Sequence, residues 1–325
     1  EVASNCAGHY PIDFKNKEWY AKPEKHLTGQ IFGITRDLLP EIVKEGTQIG
    51  CLTKQASADM GLPEGMPFFV GGSDKSCETL GLGVVDESCG AISFGTASSI
   101  ETTSKKYHES EPFLPGYPTP VDGLYNMDIQ IYRGFWMMKW FTDVILQGKG
   151  GKDVLKHYDK HLVDVPAGSD GLILQPYWGP GLSRPLAKGG MIGFSDAITT
   201  EHIYKSIIEG NCYALREGLE HFEKVLKHNI PELRISGGGS KSDEICQIAA
   251  DVFNKPVSRV QTYETSSLGA AISGFMAIGE FKTVEDAVKA MVKKTDTFVP
   301  NKENVETYEY LFKNVYLKMF GANKP

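Results

Sequence analysis

Apolar residues change their spacing several times along this chain, and each change predicts an element. Phe68-Phe69-Val70 follows the turn-rich stretch 61–67, has strand length and stops at Gly71-Gly72. Residues 75–83 read as a short helix closing at glycine. Residues 91–94 and 98–103 are β-rich runs joined by Gly95-Thr96-Ala97, a hairpin signal. Residues 105–122 hold Pro112, Pro115, Pro118 and Pro120 and read as a loop. A strand (124–131) and an aromatic helix (134–146) follow, then strands at 172–175 and 191–194 around a Gly/Pro-rich loop. At 201–227 apolar residues such as Ile203, Ile207, Leu215, Leu219 and Leu226 recur at near-helical spacing, with Thr199 or Thr200 placed to cap the helix. Strand 233–236, helix 241–253, strand 257–260 and helix 266–278 come next, and two helices near 283–293 and 303–320 finish the chain. Residues 1–66 are mixed and dense in turn residues.

A hairpin followed by alternating strands and helices demands a mixed sheet covered by helices. The expected fold is α/β, resembling the RNase H-like core of the actin-like ATPases. At 325 residues the chain suggests about two domains of ~150 residues each. Its net charge of −7 argues against a nucleic-acid binder, which needs a concentrated basic face. No apolar run approaches the ~18 residues of a membrane span, and no signal peptide is expected. The six cysteines are scattered without a C-x-x-C pair, as expected of reduced thiols in a cytoplasmic protein. The chain opens on Glu1 within a polar stretch, as expected of a fragment, a cleavage product or one part of a longer polypeptide.

Three segments carry chemistry. In Gly71-Gly72-Ser73-Asp74-Lys75-Ser76 a strand delivers a carboxylate among small residues before a helix. Asp74 there is either a base that takes a proton from a bound hydroxyl or simply the N-cap of the helix. The turn Phe94-Gly95-Thr96-Ala97-Ser98-Ser99 either cradles phosphate oxygens or is an ordinary hairpin turn. In Ser236-Gly237-Gly238-Gly239-Ser240-Lys241-Ser242 three glycines between a strand and a helix clear side chains from the path of a ring or phosphate. A flexible connection explains one glycine better than three, which favours a nucleotide role.

A dinucleotide fingerprint needs glycine where Ser242 stands, and residues 257–261 carry no acid to close it. Neither a P-loop nor a G-x-S-x-G elbow occurs. His157 and His161 have metal-compatible spacing without a third ligand and read as a solvated helix face. The stripe Phe135-Trp136-Met137-Met138-Trp140-Phe141 reads as core packing.

Taken in order, these segments resemble the FGGY family of carbohydrate kinases over essentially the whole chain. Gly189-Gly190-Met191-Ile192-Gly193-Phe194, with Glu201-His202-Ile203 and Ser206-Ile207-Ile208-Glu209, is similar to the family's C-terminal signature, Phe194 being a mild departure. Residues 235–251 and 267–279 are similar to its adenosine segment and the helix after it. The resemblance implies ATP-dependent phosphorylation of a carbohydrate hydroxyl, nearest to xylulose kinases, with Mg²⁺ accompanying ATP. It implies Asp74 as the catalytic base, Gly95 and Thr96 as the second phosphate loop, and Gly238, Gly239 and Ser242 as the adenine border. Relatives often carry an amide where Lys75 stands, touching the sugar. Lys75 therefore either favours an anionic acceptor or pairs with Glu78 one turn along.

The resemblance divides the chain into 1–86, the tail of an N-terminal sugar-binding domain, and 87–325, a complete nucleotide-binding domain. The family's first phosphate loop, of D-x-G-T type, has no counterpart here. The expectation is a chain lacking most of its N-terminal domain and turning over poorly unless that partner is supplied. The alternative is a non-catalytic ATP-binding module with a regulatory or interaction role. The expected partners are a small carbohydrate and the missing domain, with no nucleic acid or membrane and with room for a homodimer.

Overall fold

The computed structural model describes residues 1–322 apart from 7, 9, 112, 113, 152, 180, 182 and 183, so Pro112 of the expected loop lies outside the described residues. The N-terminal stretch forms a small apolar cluster around Ala3, Ile12, Phe14 and Trp19. It also contains an antiparallel pair of strands, Gln48–Cys51 and Pro67–Phe69.

Helix α1 (Asp74–Gly81) follows, capped by Ser73, whose hydroxyl accepts the Ser76 N–H at 3.2 Å. The cap is thus Ser73 and not Asp74, which overturns the plainer of the two readings of that aspartate. Strands β1 (Cys89–Phe94), β2 (Ser98–Ser104), β3 (Tyr117–Pro118) and β4 (Tyr125–Ile131) come next. Helix α2 (Trp136–Trp140) runs on as a π-turn, Phe141–Ile145. Strands β5 (Ile173–Gln175) and β6 (Gly190–Ile192) pair antiparallel across the Gly/Pro-rich loop. Beyond them lie α3 (Thr200–Leu226), β7 (Glu232–Ser236), α4 (Asp243–Phe253), β8 (Val257–Val260), α5 (Thr265–Ala277), α6 (Val284–Met291), β9 (Lys294–Phe298) and α7 (Lys302–Leu311).

Seven strands form one mixed sheet in the order β9-β8-β7-β1-β2-β4-β3. β7 runs parallel to both β1 and β8, and the remaining pairs are antiparallel. Alternation along the strands splits the sheet chemically. Ile92, Phe94, Ile100 and Met127 point into the main core with Ile207, Leu215 and Phe222 of α3. Met137, Met138 and Phe141 are buried in the same core, so the aromatic stripe packs as expected.

The opposite face, under α1 and α5, carries polar residues toward the end of β1: Ser93, Ser99 and Glu101, all buried. α1 and α5 meet almost backbone to backbone. A Cβ on Gly269 would stand 1.8 Å from the Cys77 carbonyl oxygen, and one on Gly81 would stand 1.9 Å from that of Thr265. α3 begins where expected, with the Thr199 N–H donating to His202 Nδ1 at 3.3 Å. Strand β9 and the two-residue β3 are elements the sequence pattern did not predict. The six cysteines are free thiols, and Cys51 alone among them is exposed.

Candidate active site

The apolar run before Gly71-Gly72 sets Asp74 on the first turn of α1 with its side chain exposed. Its Oδ1 accepts the Lys75 N–H at 2.8 Å, and its carbonyl accepts the Ser266 hydroxyl at 3.1 Å, which ties the start of α1 to α5. Beside it opens a cavity of about 440 Å³ lined by Asp74, Lys75, Asn126, Asp128, Gln130 and Tyr132 among others. A larger cleft of about 660 Å³ runs past Lys105, Pro120 and Ser273. No predicted site residue lines it, so volume alone does not mark the site.

The hairpin turn and the glycine bend pack directly on each other. Gly237 has φ +81°, and a Cβ there would lie 2.7 Å from the carbonyl carbon and oxygen of Phe94, the residue before Gly95. A Cβ on Gly239 would strike the Phe135 ring at 2.4 Å. That ring stacks on Phe94 with centroids 4.4 Å apart. The other side of the turn is held by α2, because the Phe135 and Trp136 N–H groups donate to the Gly95 and Thr96 carbonyls at 3.1 Å each. Thr96 is exposed, and a Cβ on Gly238 would meet open space. Ser242 caps α4, accepting the Ile245 N–H at 3.3 Å, and its hydroxyl donates to Glu244 at 2.8 Å.

One carboxylate joins all three segments. Glu78, a single turn along α1 from Asp74, pairs with Lys75 Nζ at 2.7 Å. Its other oxygen accepts hydroxyl protons from Ser93 at 2.7 Å and from Ser236 at 2.5 Å. Ser93 and Ser236 are register partners on β1 and β7, and Ser93 also faces Ser99 across the hairpin. Lys75 Nζ reaches the hydroxyls of Ser93 at 3.3 Å and Ser99 at 3.4 Å. Of the two arrangements expected for Lys75, pairing with Glu78 is the one observed.

Around this pair lies an acid cluster that sequence reasoning missed. Burial pushes the Glu101 carboxyl up to about 8, Asp128 adds to the rise and Lys75 opposes it. Ser99 donates to Glu101 at 2.8 Å, and Thr79 donates to its other oxygen. Burial raises Asp128 to about 6 against the hydrogen bond from Gln130, and its Oδ1 is shielded and unpartnered. For Glu78 burial also acts upward, but the Lys75 ammonium and the serine hydroxyls outweigh it and hold the carboxyl below its ordinary value. Burial alone would lower Lys75; Glu101 and Glu78 reverse that and keep it charged. The one signal for this cluster in the sequence is the alternation Ser93, Ser99, Glu101, which puts polar side chains on one face of two β-rich runs.

The family model for the C-terminal domain of the FGGY family of carbohydrate kinases matches residues 90–278, and the model for its N-terminal domain matches residues 4–81. The second match corrects the expectation that the N-terminal domain is missing as a partner, because residues of that domain's pattern precede the C-terminal match in this chain. An uncharacterized sugar kinase of Escherichia coli, YgcE, is 30% identical over 96% of this chain and 64% of its own length. A Lactococcus lactis xylulose kinase is 28% identical over 96% of this chain and 62% of its length. The crystal structure of xylulose kinase from Rhodospirillum rubrum superposes with TM-score 0.77 at 25% identity, covering 89% of this chain and 59% of that one. The chain thus spans under two thirds of the length of the relatives it matches. The neighbours carry the actin-like ATPase fold expected for the mixed sheet, and with the C-terminal match extending over more than half of its residues, this chain belongs to the FGGY family of carbohydrate kinases.

Proposed function

We propose that the chain catalyses ATP-dependent phosphorylation of a carbohydrate hydroxyl at the cavity beside Asp74. The observation that carries this reading is the joining, through Glu78, of an exposed carboxylate, a hairpin turn and a glycine bend. In the proposed step the acceptor hydroxyl gives its proton to the Asp74 carboxylate as its oxygen bonds to the γ-phosphorus. The bond from that phosphorus to the β–γ bridging oxygen breaks, and ADP leaves with the electron pair. Gly95 and Thr96 offer a turn for the transferring phosphate, and Gly238, Gly239 and Ser242 border the nucleotide. No group of three His, Cys, Asp or Glu side chains among the described residues converges as a metal site. Mg²⁺ would enter on the phosphate oxygens of ATP and offset their charge. The two family matches, 4–81 and 90–278, support a division of the chain near 86/87.

The acceptor proposed is an uncharged polyol of pentulose size. A cavity of about 440 Å³ falls in the range of small-molecule sites. Lys75 is already matched by Glu78, and the Asp74 and Asp128 carboxyls line the same cavity, so an added carboxylate or phosphate is disfavoured there. The test is a panel of neutral ketoses, sugar acids and sugar phosphates assayed for ATP-dependent ADP release with the intact chain. Neutral ketoses should lead, and preference for an anionic acceptor would sink the polyol assignment. Asp74→Asn should lower kcat by about 10²–10⁴-fold with ATP binding retained. ATP binding without transfer to any acceptor would instead support a non-catalytic module.

A further inference from the structure

We propose that Glu78 is a positioning residue, fixing the distance between the Asp74 carboxylate and the two segments assigned to the triphosphate; the inference rests on the phosphotransferase reading. A carboxylate offers about four acceptor directions, and three of them here take protons from three separate segments. Lys75 lies on α1 itself, Ser93 sits two residues before Gly95 on β1, and Ser236 sits immediately before Gly237 on β7. Hydrogen bonds to an ionised group are roughly twice as strong as neutral ones. Sliding α1 along the sheet must therefore break charge-assisted bonds at the turn and at the bend together.

The position of Glu78 on the helix matters as much as its bonds. Four residues after Asp74, it lies on the same face just over one turn, about 6 Å, further along. The base is consequently carried on the same rigid turn as the residue that grips the phosphate side. Lys75 extends the tie across the hairpin, because its Nζ touches Ser93 on one strand and Ser99 on the other. A carboxylate serving stability alone would need only its lysine. Here both hydroxyl bonds go to the last two residues of a strand, Ser93 next to the end of β1 and Ser236 at the end of β7, just before the turn and the bend assigned to the nucleotide.

The experiment compares Glu78→Ala and Ser236→Ala with the parent chain, reading steady-state kinetics, thermal unfolding and amide hydrogen exchange. Glu78→Ala should lower kcat by about 100-fold, the loss expected from misplacement near 1 Å. The KM for ATP and for the acceptor should each stay within about 3-fold, as for an interaction made only in the transition state. Exchange should quicken at residues 93–97 and 236–240 and stay unchanged in α3. Ser236→Ala removes one arm without stranding a charge and should lower kcat about 10-fold, which keeps the test decisive if Glu78→Ala does not fold. Parent-like kcat in both variants overturns the proposal, as does a kcat loss matched by equal loss of ATP affinity and unfolding temperature. If the parent chain phosphorylates no acceptor, the phosphotransferase reading fails by itself. The exchange measurement then still judges the tie, and unchanged exchange at both segments refutes it.

Discussion

Placing a methyl group at the crossing of α1 and α5 should cost both stability and turnover. In Gly269→Ala the new carbon would stand 1.8 Å from the Cys77 carbonyl oxygen, 2.7 Å from its carbon and 2.9 Å from the Gly81 nitrogen. All three neighbours are backbone, so no side chain can rotate away. With ordinary contact starting at 3.4 Å, the helices must part by about 1.6 Å along that line. Overpacking of this kind costs about 1–3 kcal/mol, and the better helix propensity of alanine returns up to about 1 kcal/mol. A net loss of about 1–2 kcal/mol lowers the unfolding temperature by roughly 2–8 °C at 2–4 °C per kcal/mol. Because α1 carries Asp74 and Glu78, the same parting displaces the proposed base from the hairpin turn, and kcat should fall about 100-fold. Scanning calorimetry and the kinase assay read the two effects in one preparation. An unfolding temperature and kcat equal to those of the parent chain would refute the reasoning, since they would mean that the crossing relaxes without moving the helix.

Two further outcomes follow from the geometry. Glu101 holds its proton on folding up to about 8, against a reference value of 4.5, so the folded chain binds a proton that the unfolded chain has released. Its contribution is therefore complete below 4.5 and is lost as pH rises toward 8; Glu101→Gln should flatten the fall in unfolding temperature across that window, and an unchanged slope would contradict it. Gly237→Ala combines a φ of +81° with a 2.7 Å approach to Phe94. By calorimetric titration it should weaken ATP binding about 10-fold, and unaltered affinity would remove the bend from the nucleotide site.

Much of the fold was legible because its elements are periodic and punctuated. Thr199 announced α3, the Gly95-Thr96-Ala97 turn announced the hairpin, and three glycines marked the bend that Phe94 presses against. Strand β9 escaped because Lys-Thr-Asp-Thr-Phe is a mostly exposed edge with no apolar alternation to reveal it. The acid cluster escaped for a different reason. Glu101 and Asp128 lie far from Lys75 in the chain, and each of the two reads singly as a surface charge. Only the pleat of β2 and β4 under α1 turns them toward one another. Asp74 could be located from its glycines, but its separation from the helix cap depended on a one-residue shift to Ser73.

The two outermost strands of the large sheet have a consequence for how copies of this molecule can meet. At one rim β9 displays Lys294 and Asp296, and at the other β3 is two residues long and ends in Pro118, which has no N–H to offer a newcomer. Charge and proline are the means by which open sheets discourage strand-by-strand growth. Pairing of a second copy onto either rim of the large sheet is thus disfavoured, so self-association of this chain would have to use another surface.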